Sequence, residues 1–164
     1  MPGFLTIGKG GGYLMQQFEI FDTLGFLTIN TAFQAKQNLN SIFLRNGIDA
    51  SVDQFVILSV LLIKNGIVQK ELSEQCYKSD SNITRILNVM ENKELITRKK
   101  GTDARSRSIF LTEKGTLLYQ RLAPLAAAYN SQLFEGFSEE EIIIYRGLLM
   151  RMRENLITRE GEYK

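Results

Sequence analysis

The chain has 164 residues and a net charge of +2, enough length for one ordinary domain with a real core and the composition of a soluble globular protein. It contains no histidine and one cysteine, which excludes Ser-His-Asp chemistry, His-bearing metal sites and an internal disulfide. Its longest apolar run, Phe55 to Ile63, is about nine residues, roughly half a membrane span, and no cationic leader with a small-residue cleavage site is present, so a cytoplasmic protein is expected.

Residues 1–14 carry Gly3, Gly8, Gly10, Gly11 and Gly12 without any period, and read as a disordered or start-site extension with Met15 as the alternative initiator. The glycine run around Lys9 is no phosphate loop, because it lacks the fixed glycine spacing and puts Gly10 where a metal-binding hydroxyl is needed. From Gln17 to about Asn46 the pattern is helical and stops at Asn46-Gly47. Phe18, Phe21, Leu24, Phe26, Leu27, Ile29 and Phe33 cover more of this helix than one core-facing stripe requires. A helix apolar around much of its girth has to be covered from two sides, and in so short a chain the second cover is expected from a partner subunit.

Ser51 and Gln54 form a capping box that opens a second helix, closed by Asn65-Gly66, with Ile67 as a very short strand. Val68 to Cys76 spaces Val68, Leu72 and Cys76 as the inward face of a third helix, and Tyr77 to Ser79 make a turn. In Asp80 to Glu94, Ile83, Ile86, Leu87 and Met90 recur on one face, which leaves Ser81, Arg85, Asn88 and Asn92 on the other; Ser81 is also a candidate local cap. A surface of hydroxyl, amide and guanidinium groups is what reads a base edge.

Leu95 to Lys100 alternates as a strand, Gly101 to Ala104 turns, and Arg107 to Leu111 returns as the second strand of a hairpin. Thr112 is placed to cap a long helix through Leu118, Leu122, Leu125 and Tyr129, with a kink expected at Pro124. Ser138 and Glu141 make another capping box, which opens a last helix with the stripe Tyr145, Leu148, Leu149, Met152 and Leu156. Arg85, Lys93, Arg98, Lys99, Lys100, Arg105 and Arg107 face only Glu91, Glu94 and Asp103, so the charge is concentrated on the fourth helix and the hairpin. The expected fold is mainly α with a small β-hairpin wing: a winged helix-turn-helix at 51–112 embedded in a helical dimerisation domain formed by 17–46 and 112–160, all within a single domain at 15–164.

In order and spacing, Lys70-Glu71-Leu72-Ser73-Glu74, Ser81-Asn82-Ile83-Thr84-Arg85, Leu95-Ile96-Thr97-Arg98 and Asp103-Ala104-Arg105-Ser106-Arg107, leading into Leu111-Thr112-Glu113-Lys114-Gly115, resemble the MarR family of bacterial transcriptional regulators. The resemblance implies a homodimer on a pseudo-palindromic double-stranded DNA operator, usually a repressor, released by a small aromatic or apolar effector or by an oxidant. It implies that Ser81, Asn82, Thr84, Arg85 and Asn88 enter the major groove, that Arg105 reaches the minor groove with Asp103 holding its guanidinium, and that Arg107 lies near phosphate. Lys99 and Lys100 are candidate phosphate contacts or plain edge-strand charges. Family members usually have glycine at Tyr77 and an aliphatic residue at Lys78, so a positive φ at Tyr77 would carry strain.

Some relatives sense peroxide through a cysteine, but the inward phase of Cys76 reads as a small core residue. Phe18, Phe21, Phe33, Phe55 and Tyr129 read as packing residues that could also line an effector pocket. No cofactor or metal is expected, and no enzyme. A winged-helix module for protein contacts, its polar face set against an acidic partner, is the alternative.

Overall fold

The computed structural model describes residue 21, residues 23–100 and residues 107–158. Its elements run α1 (Leu24–Arg45), α2 (Val52–Ile63), β1 (Ile67–Val68), α3 (Gln69–Gln75), α4 (Asp80–Asn92), β2 (Ile96–Lys100), β3 (Arg107–Leu111), α5 (Glu113–Leu133) and α6 (Glu139–Thr158). They fall into two compact units, Met1–Leu122 and Ala123–Lys164.

Local chemistry sets most element ends where the sequence puts them. Gly47 and Gly66 take φ of +68° and +81°, the left-handed conformation that stops α1 and α2. At the start of α2, Ser51 Oγ accepts from the Gln54 N–H while Gln54 Oε1 accepts from the Ser51 N–H, so each side chain satisfies the other residue's orphan amide. Ser138 and Glu141 do the same before α6. Pro124 lies inside one continuous helical span and does not end α5.

Several boundaries differ from expectation, among them the end of α4 at Asn92, which leaves Glu94 at φ of +59°, and the start of β2 at Ile96. The first helix begins at Leu24, not Gln17, because Thr23 is its N-cap and accepts from the Phe26 N–H; residues 17–20 lie outside those described. Val68 belongs to β1 and is 37% exposed, so only Leu72 and Cys76 face inward. The cap of α4 is Ser79, whose hydroxyl accepts from the Asn82 N–H, and not Ser81.

The core of the first unit joins α2, α3, α4 and the sheet through Ile57, Leu58, Leu61, Ile67, Leu72, Ile83, Leu87, Met90, Ile96 and Ile109, all nearly solvent-free. The three antiparallel strands are ordered β1-β3-β2, with Ile67 opposite Ile109 and Ile96 opposite Leu111. Tyr119 stacks on Phe55, which also meets Phe43 edge to face. Gly115 closes the sheet against α5: a Cβ there would lie 2.2 Å from the Leu95 carbonyl oxygen and 2.7 Å from Leu111 Cδ1.

In the second unit, Phe134 packs against Phe137 and Tyr145, and Tyr129 is buried. Residues 139–157 of α6 are all exposed, among them Tyr145, Leu148, Leu149, Met152 and Leu156 of the expected stripe. On α1, Leu24, Leu27, Ile29 and Phe33 are exposed as well. No described helix is long and apolar enough to cross a membrane.

Tyr77, in the turn between α3 and α4, adopts φ of +51°. A left-handed non-glycine residue costs about 1–2 kcal/mol. Tyr77→Gly is therefore expected to raise stability, read from the melting midpoint, by about 1 kcal/mol at most, once the added freedom of the unfolded chain and the tyrosine's own interaction are subtracted. A fall in the midpoint would show that the tyrosine ring contributes more than its backbone costs.

Candidate nucleic-acid interface

Helix α4 is presented by α3 through a short polar relay. The Ser73 hydroxyl donates to Asp80 Oδ1 at 2.7 Å, and Gln69 Nε2 donates to Thr84 Oγ1 at 2.8 Å. The turn between the two helices is tied to α2, where Asp53 receives Lys78 at 2.8 Å and Lys36 of α1 at 2.9 Å. The residue that departs from the aliphatic pattern, Lys78, thus closes an ionic bridge and is itself largely covered. Burial pushes the Asp53 carboxyl up, but the hydrogen bonds and charges of Lys78 and Lys36 outweigh it and hold the group below the usual carboxylate value.

A depressed folded-state pKa contributes stability that is complete above the unfolded value and fades as pH falls through the folded one. Asp53→Asn is expected to lower stability by about 1 kcal/mol at neutral pH, and thermal melts of the two proteins should draw together progressively as pH falls from about 4 through the depressed value. A gap that persists unchanged in acid would refute the ionic origin. Nearby, Cys76 is buried and its thiol is pushed up by burial, with Lys78 opposing and Asp53 adding, which suits a core residue.

On α4, Ile83, Ile86, Leu87 and Met90 are buried, while Ser81, Asn82, Thr84, Arg85, Asn88 and Asn92 are exposed. The exposed groups are not equally available. The Thr84 hydroxyl donates to the Asp80 carbonyl at 2.6 Å and accepts from Gln69, so it is used within the protein. Ser81 Oγ lies 3.2 Å from the Ser79 hydroxyl, and Asn88 Oδ1 accepts from Arg98 at 2.8 Å. The Arg85 side chain makes no hydrogen bond or ion pair among the described residues.

The basic cluster is thinner than its count suggests. Arg98 is drawn inward to Glu91 at 2.7 Å and Lys93 pairs with Asp49 at 2.5 Å. Lys99 is exposed with its ammonium 4.9 Å from the Phe110 ring centre, and Arg107 is exposed at the start of β3, opposite Lys100. Asp103 and Arg105 lie outside the described residues. The inward pairing of Arg98 escaped sequence reasoning. Glu91, seven residues before it, was the only available hint.

A family model described as "MarR family" matches residues 51–106, the stretch from the cap of α2 into the hairpin. An uncharacterised HTH-type transcriptional regulator of Bacillus cereus is 30% identical over 114 residues, 68% of this chain and 75% of its own. Among solved structures, the S. aureus MepR–DNA complex superposes with a TM-score of 0.74 at 23% identity, covering 82% of this chain and 98% of that one. The PcaV transcriptional regulator of Streptomyces coelicolor, in complex with its natural ligand, gives a TM-score of 0.76 at 18% identity, over 85% and 98% of the two chains.

Proposed function

The chain belongs to the MarR family of transcriptional regulators, and from that premise we propose that it acts as a homodimer that binds a pseudo-palindromic double-stranded DNA operator and represses until a small-molecule effector releases it. The observation that carries this reading is α4: a fully buried apolar face and, opposite it, an exposed face of Ser81, Asn82, Arg85 and Asn88, standing beside the two strands of the wing. Arg85 and Asn88 supply donors for base edges, and Ser81 and Asn82 sit in the first turn, where backbone contacts fix register. In the wing, Arg105 reads the minor groove with Asp103 fixing its fork, and Arg107, Lys99 and Lys100 meet phosphate.

Domain organisation follows the same reading, with residues 51–112 as the reader and the helices within 17–46 and 112–160 forming the dimer. Exposed apolar side chains on α1 and α6 support that assignment, since patches of this kind mark association surfaces. The protein performs no chemistry of its own and works in the cytoplasm. The effector is a small aromatic or apolar compound, for which the aromatic side chains Phe33 and Phe55 are candidate lining residues.

Fluorescence anisotropy at near-physiological salt, with a duplex from upstream of the gene and a scrambled duplex of equal length, tests the proposal. Preference for the upstream duplex by about three orders of magnitude or more is expected. Equal, weak, salt-sensitive binding to every duplex in a genome-wide selection would leave the winged helix as a protein-contact module instead.

A further inference from the structure

Arg98 of β2 is nine-tenths buried, and its guanidinium is incompletely partnered. Nη1 donates to Glu91 Oε2 at 2.7 Å and to Asn88 Oδ1 at 2.8 Å, while Nε and Nη2 are buried without a partner among the described residues. A guanidinium has donors only, so the end of the Asn88 amide that faces it has to be the carbonyl oxygen. The usual ambiguity between amide oxygen and nitrogen is removed by chemistry. Asn88 itself is exposed on the polar face of α4, and its two N–H donors make no hydrogen bond among the described residues.

We propose that Arg98 fixes the polarity of Asn88, making it a donor-only reader that selects guanine and rejects adenine in the operator. The inference rests on α4 being the DNA-reading helix. An asparagine that pairs with adenine donates to N7 and accepts from N6 at once, and needs its carbonyl for the second bond. Here Arg98 takes one of the two lone pairs of that carbonyl, and its charge and unpartnered N–H groups oppose the second donor that adenine N6 would bring to the same oxygen. Guanine presents N7 and O6 as adjacent acceptors, the edge that two N–H donors match, and cytosine presents a donor that they oppose. Arg98 is thus a positioning residue that acts on sequence choice through Asn88 without touching DNA.

The test is enrichment from a duplex library with randomised half-sites, run for the wild type, Asn88→Ala and Asn88→Asp. The wild type is expected to enrich guanine, by about fivefold or more over adenine, at a half-site position that Asn88→Ala relaxes. Asn88→Asp keeps an acceptor for Arg98 and removes both donors, so its melting temperature should hold while the same position shifts toward cytosine. The added negative charge weakens all duplexes alike and leaves relative enrichment readable. Adenine at the relaxed position, a wild-type preference retained by Asn88→Asp, or no position responding to either variant would each overturn the proposal while the regulator reading stands. A wild type that enriches no sequence would overturn both.

Discussion

Gly115→Ala is expected to destabilise the protein by about 3 kcal/mol, the upper end for overpacking, because the obstacle is backbone and not a yielding side chain. The new methyl would meet the Leu95 carbonyl oxygen at 2.2 Å. That carbonyl is already committed, accepting the Thr112 N–H at 3.2 Å, and the Thr112 hydroxyl donates to the Glu94 carbonyl and accepts the Gly115 N–H. Four backbone groups are therefore locked around one missing side chain, at the point where β2 begins and α5 starts. The thermal midpoint should drop by roughly 6–12 °C for a chain of this size. A drop under about 2 °C would mean that α5 shifts away from β2 at little cost.

Arg85→Ala is expected to cost about 10- to 100-fold in operator affinity, the range for losing one good base contact, with thermal stability within about 0.5 kcal/mol of the wild type. The separation of the two effects follows from its surroundings: the Arg85 side chain is exposed and makes no hydrogen bond or ion pair among the described residues, so truncation removes no side-chain bond the fold uses. Anisotropy titrations at several salt concentrations also identify the contact. A base contact relaxes preference at one operator position, whereas a phosphate contact weakens all duplexes and lowers the salt slope by about one. Unchanged affinity at every salt concentration would remove Arg85 from the interface.

What the sequence made legible is local. Gly47 and Gly66 could be read as helix stops because only a left-handed residue closes those turns, and Ser51 with Gln54 as a start because the pair satisfies itself within one turn. The buried face of α4 was legible for the same reason, its period being a property of one helix. Charge was not legible in this way. Counting Arg98 and Lys93 with the basic cluster treats each cation as solvated, whereas Arg98 turns inward to Glu91 and Lys93 is taken by Asp49, 44 residues away.

The internal bonds of the Thr84 hydroxyl and the Asn88 carbonyl were not legible on similar grounds. Exposure of a side chain follows from helix phase, but whether its polar atoms are already used depends on Gln69 and Arg98, which lie on other elements. Tyr77 shows the opposite case. Its departure from glycine pointed directly to a positive φ, and the backbone bears it. Wing residues Asp103 and Arg105 lie outside the described residues and rest on sequence alone.

The uncovered apolar side chains of α1 and α6 tie folding to supply. On the proposed dimer, a chain that carries Ile143, Ile144, Leu148 and Leu156 bare, and Leu24 and Ile29 as well, reaches its stable form by finding a second copy. Its melting temperature should then climb with protein concentration, and a scan over a hundredfold dilution that shows no drift would contradict this. On that reading, copies made at low number stay solitary with their apolar helices open to proteases, so the standing pool should rise more steeply than the rate of synthesis.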